Sequence, residues 1–264
     1  MRRIITLLTD FGTADGYVGE MKGVLLSGAA NVDLVDIAHD IAPQDVEGAR
    51  LVVARYWRKF PAGTVHLVIV DPGVGSSRRA LAVASDGQYL VGPDNGVLSR
   101  ALLSEGARVA ELPISTSAAP TFHGRDVFAP AAARLAAGAS LDSLGVTALD
   151  PVVARTPPTQ RLNDGSIAGV VIAVDRFGNL ITNLGEEREG ILVVGDVTIG
   201  EIVSTYSSAT SGGLVAVIGS GGSIEIALRD GNAANHLGAG RGTRVRLYPP
   251  LTQHSLLEGL SMSS

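Results

Sequence analysis

Apolar and polar positions follow two rhythms over the first half of the chain. Ile4–Leu8 is a short apolar run, Tyr17–Leu26 has helical spacing and Val32–Ile37 alternates. Asp45–Phe60 sets Val46, Ala49, Val53 and Trp57 on one side of a helix. Thr64–Val70 and Ala80–Ala84 read as strands, Val97–Leu103 as a helix, Arg108–Leu112 as a strand and Val127–Ala137 as an Ala-rich helix. This alternation predicts a layered α/β domain with a mostly parallel sheet over 1–148. The stretch 149–163, LDPVVARTPPTQRLN, holds three prolines and no clear period, and reads as a linker. Beyond it, short strands alternate with glycine turns at Ile167–Val174, Leu180–Asn183, Val197–Val203, Leu214–Ile218, Ile224–Leu228 and Arg244–Tyr248. A smaller all-β domain, barrel or sandwich, is expected over 164–264.

Composition narrows the classes. A chain of 264 residues that is 45% hydrophobic can bury a sizeable core. Its formal net charge of -5, with no basic run, argues against nucleic acid as a partner, because phosphate-backbone binding rests on clustered Lys and Arg. Cysteine is absent, which excludes disulfides, thiolate metal sites and a cysteine nucleophile. The N-terminal MRRIITLLTDFG meets acid and glycine at once and reads as a first strand rather than a signal peptide. No apolar stretch approaches the length of a membrane span, so a soluble, cytoplasmic protein is expected.

Polar clusters fall at strand ends, where open α/β sheets bind ligands. In LTDFGTADGYVGEMKG, Asp10 closes the first strand and suits a ribose diol, while Asp15 is expected to cap the helix that follows. In VDPGVGSSRR, Pro72 and Gly73 suit the centre of a type II turn; the same stretch also brings Asp71 and Arg78 to one strand end. TFHGRDVFAP packs His123, Arg125 and Asp126 before a helix, where Asp126 favours the helix start and Arg125 pairs with it. VDRFGNLITN holds Asp175, Phe177 and Asn179, which equally suit a hairpin turn.

Several chemistries fail on pattern. GVGSSRR lacks the Lys-Ser/Thr ending of a P-loop, and no G-x-S-x-G elbow is present, although GSGG at Gly219–Gly222 superficially suggests one. His39, His66, His123, His236 and His254 lack metal-ligand spacing, so no metal is expected; His66 reads as a satisfied core histidine.

Six segments carry a resemblance: LLTDFGTADGYVGEMKGV, VDIAHDIAPQDVEGA, FPAGTVHLVIVDPGVGSSRR, YLVGPDNGVLS, TFHGRDVFAPAAARLAAG and DRFGNLITN. In this order they resemble the S-adenosylmethionine hydroxide adenosyltransferases, the adenosine-forming S-adenosylmethionine hydrolases related to fluorinating and chlorinating adenosyl enzymes. The match runs from about Ile4 to about Gly238. It implies attack of a water-derived oxygen on the ribose 5′ carbon, giving adenosine and methionine without a cofactor. Asp71, Arg78 and His123 match the residues that handle that water. Asp10 matches the ribose-binding acid, Asp175 the acid near the methionine ammonium, Phe177 an aromatic beside the ligand, Asn179 an amide at the adenine edge and Ser220 a serine near the methionine carboxylate.

The sequence departs from the halogenating relatives at three positions. Gly221 stands where they have an arginine, and Val74 and Gly124 stand where they have a threonine and a serine. The resemblance further implies a homotrimer with its ligands between the N-terminal domain of one subunit and the β-domain of the next. A halide-using enzyme of the same family and a non-catalytic S-adenosylmethionine or adenosine binder are the alternatives. A carboxylate at Asp71 repels halide, and a binder has no need of the Asp71, Arg78 and His123 set.

Overall fold

A computed structural model describes residues 3–250 other than 186 and 188; His254 and the rest of 251–264 lie outside the described residues. The chain divides into two compact units, Met1–Arg155 and Thr156–Ser264.

The first unit runs β1 (Arg3–Thr9), α1 (Tyr17–Gly28), β2 (Val32–Ala38), α2 (Val46–Tyr56), β3 (Val65–Ile69), β4 (Ala80–Ser85), β5 (Gln88–Pro93), α3 (Ser99–Leu102), β6 (Arg108–Leu112), α4 (Ala129–Ala136) and β7 (Val146–Thr147). Its strands form one seven-stranded sheet in the order β2-β1-β3-β5-β4-β6-β7. Both faces are covered, so the central strands are apolar throughout. Ile5, Leu7, Val65, Leu67 and Ile69 pack under α1 and α4 with Met21, Leu25 and Phe128. Leu8, Val68, Val70, Leu81 and Val83 pack on the opposite face with Ala49, Val53 and Trp57 of the α2 region.

The expected parallel pairing holds for β2-β1-β3-β5, and β4, β6 and β7 join antiparallel. The physical reason is the two-residue loop Asp86-Gly87, with both residues at positive φ (50° and 73°). That geometry makes β4 and β5 a hairpin, which forces them antiparallel. Helix α1 also departs from expectation. Its cap is Gly16 at φ 79°, with no side-chain cap bond, so Asp15 does not cap it. Asp45 does cap α2, accepting from Gly48 N at 3.0 Å. The predicted helix Val97–Leu103 contracts to α3, because Val97 and Leu98 precede its first turn and Asn95 Oδ1 accepts from Val97 N at 3.1 Å.

The segment 149–163 is tied at both ends. Arg79 donates to the carbonyls of Leu149 and Asp150, at 2.6 and 2.9 Å, and Val152 N donates to Asp94 at 2.7 Å. Further on, Gln160–Arg161 forms β8. The second unit continues with β9 (Ile167–Val174), β10 (Leu180–Thr182), β11 (Ile191–Val194), β12 (Val197–Val203), β13 (Leu214–Ile218), β14 (Ile224–Leu228), α5 (Ala233–Leu237) and β15 (Arg244–Tyr248). The order β10-β14-β13-β12-β11-β15-β9 closes on itself through β9–β10, so these strands make a seven-stranded barrel. Its core holds Ile167, Val171, Leu180, Leu192, Ile224, Ile226 and Leu247.

His66 is the core histidine expected from its apolar strand. It is fully buried beside Thr6, its register partner on β1. Gln88 Nε2 donates to Phe60 O at 2.7 Å, which leaves Gln88 Oε1 to accept from His66 Nε2 at 2.5 Å. Nδ1 therefore accepts from the Thr6 hydroxyl at 2.8 Å, and the imidazole is held neutral. Burial pushes its pKa down from 6.5 to about 4. The unfolded chain takes up this proton first, so the stabilisation is full above about pH 6.5 and is lost as pH falls towards 4. It is worth about 3 kcal/mol. Urea denaturation of the parent is therefore expected to show stability falling across this window, and His66→Gln to show a shallower fall. Parallel pH profiles for the two proteins would refute the assignment.

Candidate active site

Strands β1 and β3 are parallel neighbours, with Thr9 paired to Ile69. Asp10 and Asp71 follow at the carboxyl edge of the sheet, where parallel α/β sheets gather ligand groups. The chain then leaves Asp71 in a β-turn closed by Val74 N donating to Asp71 O at 3.2 Å. This turn is not type II, because Gly73 does not take positive φ; Gly75 does, at 77°. Each glycine has its own reason. A Cβ on Gly73 would lie 3.2 Å from Arg78 Cγ, and one on Gly75 would lie 2.6 Å from the Pro120 carbonyl oxygen. The two glycines let the loop fold flat enough for Arg78 to come back over Asp71.

Arg78 and Asp71 then form a buried, forked ion pair. Nε donates to Oδ1 at 2.9 Å and to Oδ2 at 3.0 Å, and Nη2 also contacts Oδ2. The side chains are only 8% and 5% exposed. The same Nη2 donates to Nδ1 of His123 at 2.9 Å. Arg78 Nη1 is buried with no hydrogen-bond partner among the described residues. Phe128 lies beneath the guanidinium, 5.1 Å from Cζ to the ring centre.

His123 is buried at the start of a wide π-type turn, Gly124–Phe128, that leads into α4. Its Nδ1 faces an arginine that has only donors, so Nδ1 is the acceptor and the neutral ring carries its proton on Nε2. Burial, and then the Arg78 charge, hold its pKa below 6.5; Asp71 and Asp126 oppose the shift. Asp126 is itself held by Arg125, by 2.7 and 3.0 Å bonds, and accepts from Ala119 N at 2.8 Å. Arg125 also reaches Glu20 at 2.8 Å, tying this turn to α1.

The remaining predicted residues are placed as follows. Asp10 accepts from Gln44 N at 2.7 Å, and Gln44 holds a positive φ of 66° to make that bond. Asp175 accepts from Phe177 N, Asn179 N and Asn179 Nδ2, each at 2.9 Å, so Asp175 and Asn179 shape the β9–β10 turn as its composition suggests. Phe177 at the tip is 75% exposed. Ser220 is exposed in the β13–β14 turn, which meets the far end of β10, where Ile224 N donates to Leu184 O. The structure thus joins Asp71, Arg78 and His123 in one network, and sets Ser220 at the opposite end of β10 from Asp175 and Asn179.

Sequence reading missed two features beside the network. Phe11, Tyr17 and Phe122 form an edge-to-face trio with centroids 5.4–6.1 Å apart. With only five Phe and five Tyr in the chain, three converging rings are a signal that scarcity could have flagged. Second, His39 lies 3.1 Å from Asp36 through Nε2 and 2.8 Å from Thr9 through Nδ1, and its carbonyl accepts from Gly12 N at 2.7 Å. It braces the loop that carries Asp10. No group of three or more His, Asp or Glu suited to a metal occurs among the described residues.

Family models described as the SAM hydroxide adenosyltransferase N-terminal and C-terminal domains match residues 5–145 and 169–246. A Thermus thermophilus protein named (R)-S-adenosyl-L-methionine hydrolase is 40% identical over 258 residues, covering 93% of this chain and 99% of that protein. More distant is a protein named fluorinase from Actinopolyspora mzabensis, 33% identical over 71% of this chain and 73% of its own. The crystal structure of an uncharacterized conserved protein from Thermotoga maritima superposes with a TM-score of 0.83 at 32% identity, over 92% of this chain and 99% of that one.

The electrostatic couplings at His123 have opposite signs and can be separated. In an NMR titration of the ring protons, His123 is expected to titrate below 6.5, to rise in Arg78→Met and to fall further in Asp71→Asn. A His123 pKa unmoved by Arg78→Met would contradict the observed contact.

Proposed function

The chain belongs to the S-adenosylmethionine hydroxide adenosyltransferase family, and from that premise we infer that it hydrolyses S-adenosylmethionine to adenosine and methionine. The observation that supports a mechanism is the contact of Asp71, Arg78 and His123, which the sequence holds up to 52 positions apart (71 to 123).

We propose that these three side chains handle the attacking water. Its oxygen forms a bond to the ribose 5′ carbon as the carbon–sulfur bond breaks, and that electron pair stays on sulfur. Methionine leaves as a neutral thioether and needs no general acid, so only the nucleophile requires help. Asp71 accepts the proton that water loses and passes it to solvent. His123, with Nδ1 engaged by Arg78, orients the water through Nε2–H. Nη1 of Arg78, which has no partner among the described residues, supplies a donor for the growing hydroxide character. General-base assistance of this kind is worth about 10²–10⁴ in rate, with in-line positioning supplying more. No metal or organic cofactor enters the balance. Asp10 takes the ribose hydroxyls; Asp175, Phe177 and Asn179 contribute to the adenosyl and ammonium contacts; and Ser220 meets the methionine carboxylate.

Water, not halide, is the nucleophile in this reading. Val74 and Gly124 offer no side-chain donor, and a Cβ on Gly124 would lie 3.1 Å from Met21 Sδ and 3.3 Å from Phe122, so a serine there would be crowded. A halide beside Asp71 would lose hydration without replacement, a cost of several kcal/mol in order of magnitude. The Thermus thermophilus relative is named for the R sulfonium epimer, and the same preference is proposed here. A cytoplasmic location is part of the same reading. So is a homotrimer, whose neighbouring subunits share each ligand between their N-terminal and β units.

Incubation of the protein with the separated sulfonium epimers, chelator and high chloride is expected to release adenosine and methionine in equal amounts, from the R epimer first. Chromatography that found 5′-chloroadenosine at a comparable rate would favour the halogenating alternative. Asp71→Asn and His123→Ala are expected to lower turnover by about 10²-fold or more with binding retained, and parental turnover in His123→Ala would remove that residue from the mechanism. Light scattering at assay concentration is expected to give a trimer mass, and a fully active monomer would exclude the shared site.

A further inference from the structure

Glu225 is a buried acid that none of these roles uses. On β14 its neighbours Ile224 and Ile226 enter the barrel core, so Glu225 faces outward, paired across the sheet with Val217. It is nevertheless only 6% exposed. Its Oε2 accepts from the Tyr206 hydroxyl at 2.9 Å. No Lys, Arg or His lies within ion-pair distance of it among the described residues. A carboxylate this deep, held by one neutral donor, costs free energy that a cation from outside would recover.

The position of its other oxygen says which cation. The carboxylate lies against Gly219, the first residue of the β13–β14 turn, where any Cβ would overlap it. That turn is closed by Gly219 N donating to Ser223 O at 2.8 Å and by Gly222 N donating to Gly219 O at 2.9 Å, and Ser220 is at its exposed tip. Gly221 brings no charge that would cancel the acid. The turn therefore carries a hydroxyl at its tip and a buried carboxylate against its first residue, a pairing that suits an α-amino acid, whose carboxylate and ammonium share one carbon. Asp175 is poorly placed to take the ammonium alone, since its carboxylate already accepts three bonds from its own turn.

We propose that Glu225 binds the α-ammonium of the substrate's methionine end and sets the preference for a sulfonium that carries an intact amino acid. The inference rests on the hydrolase reading, in which Ser220 meets the methionine carboxylate. It is tested by comparing S-adenosylmethionine with its analogue lacking the α-amino group, on the parent and on Glu225→Gln. The parent is expected to favour the intact substrate, and in the variant the ratio of the two KM values is expected to collapse by about tenfold or more, the worth of a hydrogen bond to a charged group. An equal KM rise on both substrates would assign Glu225 a structural role, and an unchanged ratio would remove it from the site; either overturns the proposal. If Glu225→Gln fails to give a cooperative melt, Glu225→Asp, which keeps the charge but draws it back by one methylene, is held to the same ratio. Absence of adenosine from the parent protein would remove the hydrolase reading itself, and this inference with it.

Discussion

The forked pair between Arg78 and Asp71 is the constraint to which the surrounding structure is fitted. Both side chains are largely removed from bulk water, and their mutual charge offsets the desolvation because the fork geometry is met and Phe128 lies under the guanidinium. Removing one partner would strand a buried charge at a cost of about 3–5 kcal/mol. The loop from Asp71 to Arg78 is shaped accordingly. Gly73 yields space to the arginine stem, Gly75 passes beneath the Pro120 carbonyl, and the Ser76 hydroxyl pins the turn by donating to Gly73 O at 2.7 Å.

The sheet supplies the stage for that pair. β5 inserts between β3 and β4, so the chain that leaves β3 at Asp71 must cross the end of β5 before entering β4 at Ala80. That crossing is held from below: Asn95 Nδ2 donates to Val70 O at 2.9 Å, and Arg79 Nε donates to Asp94 at 2.8 Å. The adjacent Arg78 and Arg79 thus serve opposite ends. Arg78 turns to Asp71 and His123, while Arg79 reaches Asp94 and the carbonyls at 149–150.

The charge balance of the network suits the reaction inferred for the family. A sulfonium substrate brings one positive charge that vanishes as the carbon–sulfur bond breaks, so stabilising the leaving group gains little. Arg78 and Asp71 neutralise each other before substrate arrives, and His123 is held neutral by burial and by Arg78. The network therefore offers donors and an acceptor without a net charge that would oppose the cationic substrate of the proposed reaction. In the barrel, Glu225 is buried with no cationic partner among the described residues, and the proposed ammonium contact would supply one.

Much of the fold was legible locally. Arg108–Leu112, Ile167–Val174, Val197–Val203, Leu214–Ile218, Ile224–Leu228 and Arg244–Tyr248 appear within the bounds their patterns suggest, because each must bury one or both faces of a short strand. The strands β5 and β11 were missed, since QYLVGP follows a turn signal without clean alternation and ILVV is too short to show a period. Residue types also identified Asp71, Arg78 and His123 as candidates, but only through resemblance did they form a set. What the tertiary structure decided was proximity: Nη2 of Arg78 meets a histidine 45 positions away because a flat glycine loop and a wide turn before α4 converge on one sheet edge. The turn type at Pro72-Gly73, the cap of α1 and the burial of Glu225 were decided there too. The first and the last show contacts that the local pattern does not give: the returning stem of Arg78 against Gly73, and the Glu225 carboxylate against Gly219. Local sequence fixes which residues a segment offers, and only long-range packing fixes which of them meet.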